Sequence, residues 1–109
     1  MLVLPADGPV LGSYDSAIEI IGDTFMTPIE TVAIPVARLH PDFFVLSTGM
    51  AGEFVQKFVN YKRRLVVLGD VSAQTAASDA LRDWIYESNR RDDLWFVGDL
   101  PALEARLAS

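Results

Sequence analysis

The chain has 109 residues, half of them hydrophobic and 22% charged, with fifteen acidic side chains against nine basic ones and a net charge of −6. That length is one domain's worth and can bury roughly two-thirds of the unfolded surface, and the composition is that of a globular protein. The acidic balance opposes nonspecific nucleic-acid binding and docking on anionic lipid. The absence of cysteine excludes disulfides, thiolate nucleophiles and Cys-based zinc sites, and the single histidine, His40, leaves no imidazole cluster for a metal. No cofactor is expected. No apolar run approaches the roughly 20 residues of a membrane span. The opening MLVLPADG lacks the basic segment of a secretory signal, so the cytoplasm is the expected compartment.

Met1 to Leu4 reads as a short buried strand closed by Pro5, and PADGP as a turn. From Ser13, a plausible N-cap, apolar residues recur at Tyr14, Ala17, Ile18, Ile21 and Phe25, one face of a first helix that Pro28 helps to end. ETVAIPVARL is β-branched and reads as a strand, with Pro35 pointing to an edge or a bulge. A second helix is predicted over residues 49–61. Leu65 to Leu68 is a four-residue apolar run closed by Gly69, a buried strand of a mixed or parallel sheet. GDVSAQTAAS reads as a surface loop of turn formers in which Ser72, Gln74 and Thr75 are loop-borne ligand candidates. Ser78 to Ser88 reads as a third helix, LWFVGD as a last strand, and LPALEARL as a terminal helix with Pro101 in its first turn. The order β-α-β-α-β-α-β-α predicts a single α/β domain over residues 1–109, a sheet of about four strands with helices packed on it.

The second helix is the most informative segment. On a wheel of 100° per residue, Met50, Ala51, Phe54, Val55, Phe58 and Tyr61 share one side. Gly49, Glu53, Gln56, Lys57 and Asn60 share the other. An ordinary solvated face accounts for all of these, with Glu53 and Lys57 in the favourable i, i+4 order. Two features go beyond it. Gln56 and Asn60 are uncharged amides, and Gly49 and Gly52 stand in the first turns, where each costs about 1 kcal/mol relative to Ala and permits close approach of another backbone, a neighbouring element or an anion. Thr48 is the expected N-cap, with Ser47 before it.

PDFFVLSTGMAGEFVQKFVNY, LVVLGD and LRDWIYESN closely resemble the bacterial family catalogued as domain of unknown function 4180. The resemblance runs from Pro5 onward and carries no catalytic assignment. It implies an additional strand ahead of Met1, and hence a sheet edge that a homodimer would cover. It also places Val45 where the family often has an acid. FVLSTGMAG is in addition similar to the DSSGLG segment of STAS domains, the anti-sigma-factor-antagonist fold. That similarity implies a STAS-like sheet and makes Ser47 or Thr48 the counterpart of a phosphorylated serine, although Leu46 stands in place of the preceding aspartate.

Arg82, Tyr86 and Asn89, with Asp79, form a polar stripe on the third helix, most simply a solvated face with an Asp79–Arg82 pair. Asn89 also suits a left-handed helix end. His40 before Pro41 reads as an exposed loop residue, and nothing links it to Ser47 and Asp42 as a catalytic set. Lys62–Arg63–Arg64 and Arg90–Arg91 read as cations complementing helix C-termini. The expected function is a non-catalytic bacterial regulatory or protein-interaction module. Its partner surface is Thr48, Gly49, Glu53, Gln56, Lys57 and Asn60, with a protein partner and no nucleic acid or membrane. The alternative is a small-molecule-binding domain or small enzyme with its pocket between the second and third helices, lined by Gln56, Asn60, Arg82 and Tyr86.

Overall fold

The computed structural model describes all residues, Met1–Ser109. Four parallel strands, β1 (Leu2–Val3), β2 (Thr31–Pro35), β3 (Arg64–Leu68) and β4 (Leu94–Val97), lie side by side in chain order. Five helices accompany them: α1 (Tyr14–Gly22), α2 (Met50–Asn60), α3 (Ser72–Ala77), α4 (Asp79–Asn89) and α5 (Leu100–Ala108). Three short 3-10 turns occupy Val36–Arg38, Pro41–Phe44 and Leu46–Thr48. The predicted α/β domain with a four-stranded sheet is thus the one observed.

Strand order in chain sequence, joined by crossovers of one hand, throws the connecting helices onto one face of the sheet. The core records this. Val32, Ile34, Leu65, Val67, Leu94 and Phe96 alternate along the strands and pack with residues of α1, α2, α4 and the Phe43–Phe44 turn. The other face, through Ala33, Val66 and Trp95, meets only α5, by way of Leu103. There Trp95 lies between two guanidinium groups, Arg64 at 4.1 Å and Arg106 at 3.8 Å from its ring centre, which pins α5 to the sheet.

The predicted caps are largely in place. The Ser13 hydroxyl accepts the Ser16 N–H at 3.2 Å, Ser78 caps α4 through Leu81 at 3.1 Å, and Pro101 sits in the first turn of α5 behind the Asp99 cap. Four expectations need correction. α1 ends at Gly22, well before Pro28, and it buries Ile20 while leaving Tyr14 and Phe25 exposed. β2 is an interior strand, because Pro35 is its last residue and the chain turns immediately afterwards. The predicted GDVSAQTAAS loop contains α3, which is too short to display a period. Its first N–H, from Ser72, goes to Asp70 Oδ1 at 2.8 Å, and these bonds from Ser72 hold the Asp70 carboxyl below its ordinary pKa. Asn89 does not take a left-handed conformation.

Asn89 has a different task. Its Oδ1 accepts the Phe96 N–H at 2.7 Å, and its backbone carbonyl accepts from Arg106. Phe96 belongs to β4, the outer strand, so the side chain occupies a backbone donor on the sheet edge. Asn89→Ala is expected to cost about 1–2 kcal/mol in urea unfolding, the penalty of an unmade hydrogen bond at a half-buried donor. It should also produce concentration-dependent self-association in gel filtration. The opposite edge offers little backbone for pairing, since β1 is two residues long.

Candidate functional site

α2 packs closely on α1 but has no comparable contact with α4. The gap is a groove. From α2, Gly52, Val55, Gln56 and Val59 face it; from α4, Trp84 and Ser88 do. These positions are spaced i, i+3, i+4, i+7 on one helix and i, i+4 on the other, so each helix presents a straight stripe. The groove encloses about 250 Å³, and Leu94 of β4 contributes to its lining. Trp84 is held from below by the rings of Phe43 and Phe96, at 6.4 and 5.5 Å between centroids.

The polar face predicted on α2 divides in three. Gln56 turns toward α4 and lines the groove. Its amide donates to Asn60 Oδ1 at 2.8 Å, and both side chains are exposed. Lys57 turns the other way and stands 4.4 Å from the centre of the Tyr14 ring on α1. The predicted Glu53–Lys57 pair does not form: the cation lies over an aromatic face, and Glu53 is left exposed without an ion-pair partner.

The start of α2 is also rearranged. Gly49, and not Thr48, is the cap residue, with φ +77, a conformation that disfavours any side chain. The Thr48 hydroxyl still accepts the Met50 N–H at 3.2 Å while lying 2.8 Å from the carbonyls of Asp42 and Val45. Ser47 is exposed and makes no hydrogen bond to His40. His40 Nδ1 instead accepts the Asp42 N–H at 3.0 Å.

Arg82 and Tyr86 lie outside the groove. Arg82 pairs with Asp79 on the same helix, as predicted, and Tyr86 is 63% exposed with Arg90 beside its ring. Of the four residues proposed from sequence for a pocket between these helices, Gln56 alone lines it. Gly52, marked in the sequence only as permitting close approach, lines this groove, and the α4 stripe of Trp84 and Ser88 was missed. The spacing of both stripes was present in the sequence.

Two further cavities lie toward the C-terminal ends of the strands. One, about 470 Å³, runs between the 41–47 segment and α3, with Ser47 and Gln74 in its lining. Gln74 Oε1 is buried and has no hydrogen-bond partner. The other, about 420 Å³, takes in Gly69, Asp70, Ser72 and Thr75. No three His, Asp or Glu side chains come together to hold a metal ion. No helix is long and apolar enough to cross a membrane.

A family model described as domain of unknown function (DUF4180) matches residues 1–107, and the chain belongs to that family. No curated protein and no solved structure matches it.

Proposed function

We propose that the domain is a non-catalytic recognition module that holds a protein partner in the groove between α2 and α4. One observation carries this reading. Gly52 lies inside α2, where glycine costs about 1 kcal/mol relative to alanine. A side chain there would meet nothing of the chain itself within 4 Å. The fold therefore gains nothing from the missing Cβ, whereas a partner lying in the groove would need that space. The other three glycines with open surroundings have other reasons to be glycine or lie outside helix interiors: Gly49 takes φ +77 at the start of α2, and Gly22 and Gly98 stand at an element end and in a connection.

A polypeptide suits the groove better than a metabolite. Its 250 Å³ falls below the roughly 300–1,000 Å³ of small-molecule pockets, and it is a trough between helices. The exposed Gln56 amide, held by Asn60 Oδ1, gives the groove a hydrogen-bonding group with no fixed charge, suited to a peptide backbone, beside the Arg91–Asp93 pair.

The double variant Gln56→Ala/Asn60→Ala tests the proposal. Both side chains are exposed, so the unfolding free energy should move by no more than about 0.5 kcal/mol. Retention of the partner on the immobilised domain, measured again with the purified partner, should fall about tenfold, or 1.4 kcal/mol. Unchanged retention would remove the proposal.

A further inference from the structure

The groove does not end at Val59. It opens into a larger cavity, about 500 Å³, and Val59, Arg91 and Asp93 line both. This cavity sits at the N-terminal ends of β3 and β4 and is lined by Lys62, Arg63, Arg64 and Arg91, four of the chain's nine basic residues. Three of the four, Lys62, Arg63 and Arg64, make no ion pair, although Glu30, Asp92 and Asp93 also line the cavity. Arg63 Nε donates to the buried Thr24 hydroxyl at 2.9 Å, and another of its nitrogens to the Tyr61 carbonyl at 3.0 Å. Arg64 Nε donates to the Asp92 carbonyl at 2.8 Å, with a weaker contact to Thr31 Oγ1 at 3.4 Å. Both guanidinium groups are thus oriented by neutral oxygens, and that of Arg64 also lies 4.1 Å from the centre of the Trp95 ring. Lys62, in a left-handed turn at φ +58, has no ion-pair partner. Of the three acids in the cavity, Asp93 pairs with Arg91 at 3.6 Å, while Glu30 and Asp92 reach no cation within 4 Å.

We infer that the occupant of the groove is an extended peptide segment whose apolar side chains lie over Val55, Val59 and Trp84 and whose carboxylate enters the cavity of Lys62, Arg63 and Arg64. The inference rests on the groove being the recognition site and adds the chemistry of what binds there. The distance sets the spacing. From Gly52 to Val59 the helix rises about 10 Å, the length of about three extended residues, so the carboxylate lies within that number of positions of the apolar side chains. Arginines already held at one edge present their remaining N–H groups in a fixed fork, which suits a carboxylate and reduces the ordering cost of binding. An Asp or Glu side chain and a chain-terminal carboxylate supply the same chemistry.

Random dodecapeptides displayed on phage and selected on the immobilised domain provide the test. The winners are synthesised with free and amidated C-termini and measured by fluorescence anisotropy. The expected winners carry one or two aliphatic or aromatic residues with a carboxylate within about three positions of them. Lys62→Glu, a change on an exposed side chain, should weaken them about tenfold, as should replacing their acid with its amide. Sensitivity to C-terminal amidation alone identifies the carboxylate as the terminal one. Winners without an acid, or indifferent to Lys62→Glu, overturn this inference. If Gly52→Leu still abolishes their binding, the groove itself survives. Winners indifferent to both variants, or no winners at all, overturn the inference and the groove together.

Discussion

Gly52→Ala is expected to stabilise the domain, and Gly52→Leu to abolish partner binding in a protein that still folds. The added methyl of alanine meets no atom within 4 Å and removes the conformational freedom that glycine gives the unfolded chain. The gain should be about 0.5–1 kcal/mol, a rise of a few degrees in Tm for a domain of this length. Leucine retains the helix propensity but projects four carbons into the trough beside Val55 and Gln56. Affinity should fall at least about tenfold, equivalent to 1.4 kcal/mol, while circular dichroism and urea midpoints stay at or above the parent values. A position that improves the fold when substituted and harms binding is the signature of a residue retained for recognition. Calorimetric unfolding together with titration of the purified partner checks both halves. Parental affinity in Gly52→Leu would mean that the groove is a gap between helices and nothing more.

Arg38→Ala should cause a large loss of stability, about 2–4 kcal/mol in urea unfolding. Arg38 follows β2 and is only 8% exposed, yet no carboxylate pairs with it. Its guanidinium donates to the carbonyls of Pro9 and Pro5 at 2.9 Å and of Asp7 at 3.3 Å. The turn after β1 is therefore wrapped round a single planar cation. Gly8 completes the wrap: its φ is +141, and a Cβ there would fall 2.7 Å from Arg38 Cζ. Arg38→Lys should recover little, because an ammonium on a flexible stem cannot reproduce a fork that meets three carbonyls at once. A loss below about 1 kcal/mol in Arg38→Ala would show that the turn holds itself without the clamp.

Where local periodicity carried the information, the sequence was legible. The wheel of α2 separated Ala51, Phe54 and Phe58, all buried, from Glu53, Gln56 and Asn60, all exposed. Leu65 to Leu68 read as a buried strand because parallel strands covered on both faces are apolar throughout. Elements without a period escaped. α3 is six residues of Ser, Ala, Gln and Thr, and its start depends on a hydrogen bond from Ser72 to Asp70. Pro35 looked like an edge marker because its position at the end of β2 was set by the turn that follows, which no local rule reports.

The site was legible only on one side. Gln56 could be named from α2 alone, but the facing residues depended on how α4 is rotated, and the polar stripe of Arg82 and Tyr86 turns outward while Trp84 and Ser88 turn in. An amphipathic helix tells which stripe is buried and not which flank borders a neighbour. The basic cavity was hidden for a similar reason. Lys62–Arg63–Arg64 and Arg91 are separated by a strand and two helices, and each group taken alone reads as a cation near a helix end. Their convergence is a property of strand order, which places β3 beside β4.

Site-specific photocrosslinking in living cells tests the groove most directly, since it does not require the partner to be known beforehand. A benzophenone side chain introduced at Gln56, on the groove rim, should capture one discrete polypeptide. The same group at Tyr86, exposed on the outer side of α4, should capture none. Adducts formed equally at both positions, or at Tyr86 alone, would contradict recognition between α2 and α4.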